Sequence, residues 1–286
     1  MTVTPWRSSL RSLARDRSAV VGAALLAVLT LLALLANYVA PYDCGAPQGI
    51  VELKYAAPSL RYPFGTDEYS RDVLSRVICG SRVSLSVAFL SVLVAVTVGT
   101  MYGAIAGYVG GWIDAVLMRV VDAMLAIPRV LLLVAVATLW NGLGVVGLVL
   151  LLGLTGWFGV ARLVRTLVLS AREDEFVVAA RALGATDVRI LARHVLPQVV
   201  SPVLVAATLA IGNVIVLEAG LAYLGLGAQA SDASWGSMLH DGMKNFVDAW
   251  WVWLFAGIAL VVTVLAVNLV VDGLRAALDT RRLTLR

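Results

Sequence analysis

The chain has 286 residues, 60% of them hydrophobic and 14% charged, with a formal net charge of +4. An apolar share so far above the ~45–50% of soluble domains excludes a soluble globular protein and defines a membrane protein. Its basic residues are spread over several segments and form no stripe with stacking aromatics, which argues against nucleic-acid binding. Arg7, Arg11, Arg15 and Arg17 precede Ala19 to Ala40, a charge-free run of 22 residues. About 20 residues at ~1.5 Å each cross a hydrocarbon core, so this is the first span. The run is longer than the apolar part of a secretory signal, no small-x-small cleavage site follows, and further spans come later; it reads as a retained anchor. Trp6, Leu10 and Leu13 share a helical face beside the arginines and suit a short helix on the inner surface.

Between the first two apolar runs, Thr66 or Asp67 can cap a helix that turns Val73, Leu74, Val77 and Ile78 toward the membrane. Arg71, Asp72, Arg76 and Arg82 fall at its polar face or ends, where it can brace the mouth of the molecule. Val83 to Ile113 is the second span, uncharged over 31 residues. Gly99, Gly103 and Gly107, four residues apart, give it a close-packing face. A third span runs from near Asp114 to Leu139, with Pro128 able to kink it. Trp140, Asn141, Gly142 and Gly144 form a turn into a fourth, Val145 to about Leu163, making a tight hairpin of the two. A charged island, Ser170 to Pro197, follows. Ser170 and Glu173 have the spacing of a capping box that starts a helix. Phe176, Ala179, Ala180 and Leu183 share one face of that helix, and Gly184 supplies the left-handed residue that stops it. Thr186 or Asp187 can cap a second helix, Val188 to Leu196, which Pro197 ends. Val199 to about Leu224 is the fifth span. Ala249 to Val271 is the sixth, with Trp250, Trp251 and Trp253 as an interfacial belt.

Six spans make an all-α polytopic fold with both ends on one side. Lys and Arg number four in the N-terminal arm, six in Arg162 to Pro197 and four in the tail. Only five occur in Pro41 to Arg82 and one near Lys244. The positive-inside rule therefore puts both termini and the island in the cytoplasm. The division is an arm at 1–18 with an interfacial helix, the first span at 19–40, an extracytoplasmic segment at 41–82, a core at 83–272 holding the 170–197 loop, and a cytoplasmic tail at 273–286. Cys44 and Cys79 both fall outside, where an oxidising environment permits a disulfide; two free thiols are the alternative.

The island's order, Ala179-Ala180, three residues, Gly184, nine residues, then His194-Val195-Leu196-Pro197, resembles the "EAA" loop of the membrane subunits of ABC importers. PFGTDEYSRDVLSRVICGSRVSL, Pro63 to Leu85, is similar to the segment before the second span in C-type permease subunits of dipeptide, oligopeptide and nickel importers. EAGLAYLGLG (Glu218 to Gly227), SWGSMLHDG (Ser234 to Gly242) and NLVVDGLRAALD (Asn268 to Asp279) continue the likeness over nearly all the chain after the first span. Two departures stand out: Val178 replaces the usual glutamate before the alanines, removing any salt bridge it made, and Ser70 replaces a common glycine. The resemblance implies a type I ABC importer transmembrane domain in the bacterial inner membrane. It also implies a B-type permease partner, two ATPase subunits or one with two nucleotide domains, and an external substrate-binding lipoprotein. ATP and magnesium would sit on the ATPases, with no cofactor on this chain. Phe176, Val178, Ala179, Ala180, Arg181, Gly184, Ala185 and Asp187 would form the ATPase-docking surface. Short peptides are the implied substrate, with nickel, haem or glycans as alternatives.

The chain has no G-x-x-x-x-G-K-[ST], no G-x-S-x-G and no H-E-x-x-H, so neither ATP hydrolysis nor the common hydrolase chemistries have residues to stand on. His194 and His240 are far apart without ligand-like neighbours, and no metal site is expected. Ionisable residues inside spans are costly and so mark pathway or gate candidates: Asp122, Arg129 and Glu218. Arg119, three residues from Asp122, can pair with it instead. Glu218 lies near the outer end of its span. A secondary transporter working without ATP would need coupling-ion sites near the midplane, and so few ionisable residues beside a docking-type loop argue against it.

Overall fold

A computed structural model describes residues 16–44, 53–140, 143–227 and 233–283, with side chains through 277. The expected surface helix bearing Trp6, Leu10 and Leu13, and the Asn141–Gly142 turn, lie outside the described residues. Helix α1 (Arg17–Leu34) is capped by Asp16, whose carboxylate accepts from the Ser18 amide at 3.0 Å, and a short turn α2 (Ala36–Val39) follows it. Then come α3 (Val73–Val109), α4 (Gly111–Leu125), α5 (Arg129–Leu139), α6 (Val145–Ala171), α7 (Glu175–Ala182), α8 (Asp187–Ile190), α9 (Leu196–Tyr223), α10 (Trp235–Met243) and α11 (Trp250–Leu283). Five of these stretches are long and apolar enough to cross a membrane, and the α4–α5 pair makes a sixth crossing if counted as one span.

The second span and the helix before it are one 37-residue rod, α3, capped by Asp72 through a 2.8 Å bond from the Ser75 amide. Neither Thr66 nor Asp67 is the cap, because both are occupied in the loop. The Thr66 hydroxyl donates to the Leu53 carbonyl and accepts from the Ala56 amide. Asp67 holds the Tyr69 and Arg71 amides. Ser70 there takes φ 58° while almost fully buried, the left-handed conformation that makes glycine the easier residue.

The three glycines of α3 set the core. A Cβ on Gly99 would lie 2.7 Å from Val160 Cβ, one on Gly107 2.7 Å from the Arg165 carbonyl oxygen, and one on Gly103 would run into the Ala161 carbonyl. Helix α6 lies directly on that stripe, its small and branched residues filling the grooves. At the other flank, Gly22 of α1 is in equally close contact with Ala266 and Leu269 of α11. The third span is broken: α4 and α5 meet at 81°. Pro128 opens α5, and Ile127 before it is disfavoured in the helical region, so the chain turns there. The tail is no separate segment, since α11 continues through it to Leu283. The tryptophan belt also divides. Trp250 is 43% exposed, whereas Trp251 is buried, its indole donating to the Thr66 carbonyl at 3.0 Å.

Candidate functional site

The island adopts a different local structure from the one its caps suggest. No helix starts at Ser170. Helix α6 runs through it to Ala171, because Val168 and Ala171 are buried in the cluster that joins α3, α6 and α9. Burial outweighs the capping preference, and α7 begins only at Glu175. Gly184 does stop α7, at φ +83°. Pro197 does not end the second helix. It sits in the first turn of α9, where no amide hydrogen is needed, and α8 passes into α9 through a π-helical turn, Leu191–Val195. The hairpin's second arm is thus the start of the fifth span.

Val177, Ile190 and Val195 point inward and are fully buried with Val164, Val168 and Val199. Phe176, Val178 and Leu183 stand out at 40%, 58% and 89% exposure, in a segment otherwise rich in charge. Ala179, Arg181, Gly184 and Asp187 are exposed too, while Ala180 and Ala185 pack half-buried on the inner cluster. Arg181 and Asp187 are paired at 3.6 Å across the turn of the hairpin. Val177 was not legible as the inward residue: three apolar residues in succession leave helical periodicity without a preferred face.

Tyr108 and Arg172 tie this hairpin to α3. The Tyr108 hydroxyl donates to Asp187 Oδ1 at 2.8 Å, and Arg181 reaches the same hydroxyl at 3.5 Å. Arg172 caps the same helix end, donating to the Gly107 and Tyr108 carbonyls at 3.3 and 3.4 Å.

The spanning ionisable residues have distinct surroundings. Asp122 pairs with Arg162 of α6 and not with Arg119, since α6 passes alongside and offers its guanidinium. Asp114 makes a second, two-pronged pair with Arg165, at 2.9 and 2.5 Å. Arg129 donates to the Leu152 carbonyl at 2.9 Å, lying over Gly156 of α6. Glu218 is fully buried; it accepts from the Ser84 hydroxyl at 3.2 Å, and that hydroxyl accepts from the Trp235 amide at 3.2 Å. These bonds bolt α9 to α3 and α10.

At the end of α3 opposite the hairpin, Asp67 is buried and accepts from Arg71 Nε at 2.7 Å and Arg76 Nη1 at 2.5 Å. Arg76 also donates to Asp241 of α10 at 3.2 Å. Lys244 lies 3.5 Å from both Asp241 and Glu68. Burial works against its charge, but those carboxylates outweigh it and hold the ammonium above its ordinary pKa. Close by, Cys44 and Cys79 are joined as a disulfide, their Cα atoms 6.2 Å apart.

A bundle of apolar helices around a glycine-lined seam, with an exposed hairpin between two spans, defines a membrane permease component. Residues 99–284 match the model of the binding-protein-dependent transport system inner membrane component family, and residues 4–58 match the N-terminal transmembrane domain of oligopeptide transport permease C. The chain belongs to that inner membrane component family. It is 39% identical to a dipeptide transport system permease protein of Alkalihalophilus pseudofirmus over 98% of this chain and 91% of the relative. It is 38% identical to a glutathione transport system permease protein of Pectobacterium atrosepticum, over 97% and 92%. A putative peptide transport system permease protein of Brucella abortus shares 40%, over 95% and 90%. The chain is therefore an ABC importer permease subunit of the peptide-importer class, a multi-pass membrane protein.

Proposed function

We propose that this chain forms half of a pathway for short peptides in the bacterial inner membrane and that its hairpin, Ser170 to Pro197, receives the stroke of the ATPases. The exposed apolar side chains of Phe176, Val178 and Leu183 carry this reading. Such a surface at the tip of a charged segment calls for a covering partner. The hairpin and both termini face the cytoplasm, a placement supported by the excess of basic residues there. A B-type permease completes the pathway, ATPase subunits supply ATP and magnesium chemistry, and an external lipoprotein delivers the substrate. The substrate class is supported by relatives named for dipeptide, glutathione and peptide transport.

Motion of the hairpin reaches the spans by two routes: through the π-helical turn into α9, and through Tyr108 and Arg172 into α3. Closure of the ATPases would then rotate these helices as a body and exchange outward for inward opening. Glu218 serves at the outer gate by fastening α9 to α3 and α10, while Asp122 and Arg129 lie along the moving third span. Gly184→Val tests the transmission. A Cβ there meets nothing within 4 Å, so only the left-handed backbone, at about 1–2 kcal/mol, opposes the substitution. The assembled importer should keep its ATPase activity and lose most of its uptake; preserved coupling would overturn the reading.

A further inference from the structure

At the end of the molecule away from the hairpin, a cavity of about 480 Å³ opens between the loop before α3, the C-terminal end of α9 and helix α10. Three cationic side chains line it, Arg71, Arg76 and Lys244, against one carboxylate, Asp241. The neighbouring acid, Asp67, is already committed: it accepts from two backbone amides and from both arginines. Donors here outnumber acceptors. A guanidinium carries five N–H groups. Arg71 spends one on Asp67, and its contact with Asp241 is a looser 3.9 Å. Arg76 is almost fully buried, makes one bond each to Asp67 and Asp241, and leaves its Nε without a hydrogen-bond partner. Lys244 is only loosely held, 3.5 Å from each of its acids, and half exposed. Ala222, Gly225 and Gly227 line it beside Tyr69, Ser237 and His240; a Cβ on Gly225 would meet nothing within 4 Å, whereas one on Gly227 would run into Ala222. The cavity is thus roomy and rich in cationic donors.

We propose that this cavity accepts a carboxylate, and that its ligand is the C-terminal carboxylate of a short peptide entering the pathway. Arg71 and Lys244 meet the anion, Arg76 supports them from below, and Asp241 lies where it can face a peptide's ammonium or amide hydrogens. At about 480 Å³ the cavity leaves room for variable side chains, so the site reads the terminus and not the sequence. The inference rests on the peptide-importer reading above.

The test uses the whole importer in nanodiscs without its binding lipoprotein. Dialanine, dialanine amide and acetate are the probes, and binding is followed by saturation-transfer NMR. Dialanine should bind saturably and its amide about tenfold or more weakly, the loss expected when one charge-assisted hydrogen bond goes. Lys244→Gln should weaken dialanine about tenfold, and Lys244→Arg should restore it. Equal binding of dialanine and its amide, or indifference to Lys244→Gln, overturns the proposal. So does a result in which Lys244→Gln leaves dialanine untouched and weakens only the docking of the lipoprotein, measured separately by interferometry, since the carboxylate would then be the partner's. Failure of the lipoprotein to stimulate the wild-type ATPase would instead undo the coupling reading, and the dialanine comparison would still decide about the cavity.

Discussion

Two glycines with opposite surroundings show how tightly the seam between α3 and α6 is built. Gly103 has the Ala161 carbonyl where its Cβ would be and Val164 Cβ at 2.9 Å, whereas Gly159 of α6 has open space. Gly103→Ala should force the helices apart and cost about 1–3 kcal/mol. Gly159→Ala should be neutral or stabilising by up to about 1 kcal/mol, because it removes backbone freedom without a clash. Thermal midpoints of the two purified variants check both signs. The glycine stripe was legible in the sequence because its four-residue spacing is itself the geometric requirement for close helix contact. Residues whose fate depends on a neighbour from elsewhere were not. Asp122 turned to Arg162, which stands forty residues away in sequence, and Trp251 left the belt for the Thr66 carbonyl.

At the level of elements, the hairpin shows why local signals marked its turn but misplaced its boundaries. Gly184 was readable because positive φ is a property of a single residue. Ser170 and Pro197 misled because helix starts and stops there are decided by what the continuing helix buries: Val168 and Ala171 on one arm, Val195 and Val199 on the other. The 37-residue length of α3 was hidden for the same reason, its first turn being fixed by Asp72 once the loop had claimed Thr66 and Asp67. Tyr108 makes one of the polar contacts between hairpin and α3. Tyr108→Phe removes the 2.8 Å bond to Asp187, worth about 1 kcal/mol at such an exposed position. The variant should assemble normally and transport fewer solutes per ATP hydrolysed, a ratio measured in proteoliposomes.

Across the whole molecule, six crossings and the family were evident from hydropathy, charge asymmetry and the ordered blocks of sequence. The 81° break of the third span was legible only as a kink at Pro128, since its size depends on where α5 finds packing against α6. The Cys44–Cys79 link closes a loop over a sequence separation of 35 and joins the exit of the first span to the first turns of α3. Replacing both cysteines by serine should lower stability by about 4 kcal/mol, reduced by whatever order the unlinked chain keeps. The thermal midpoint of the double variant, beside that of wild type with and without reductant, checks this.

Helix α3 touches both ends of the protein, Arg76 near the cationic cavity and Tyr108 at the hairpin. Its 37 residues reach about 55 Å, well beyond the ~30 Å of a hydrocarbon core. A stiff beam of that span amplifies: a tilt of about 5° about one end displaces the other by roughly 5 Å, close to one helical turn. If the cavity fills at one face of the bilayer and the ATPases press at the other, as proposed above, the two act as loads on the same girder, and each tip registers a shift of the other.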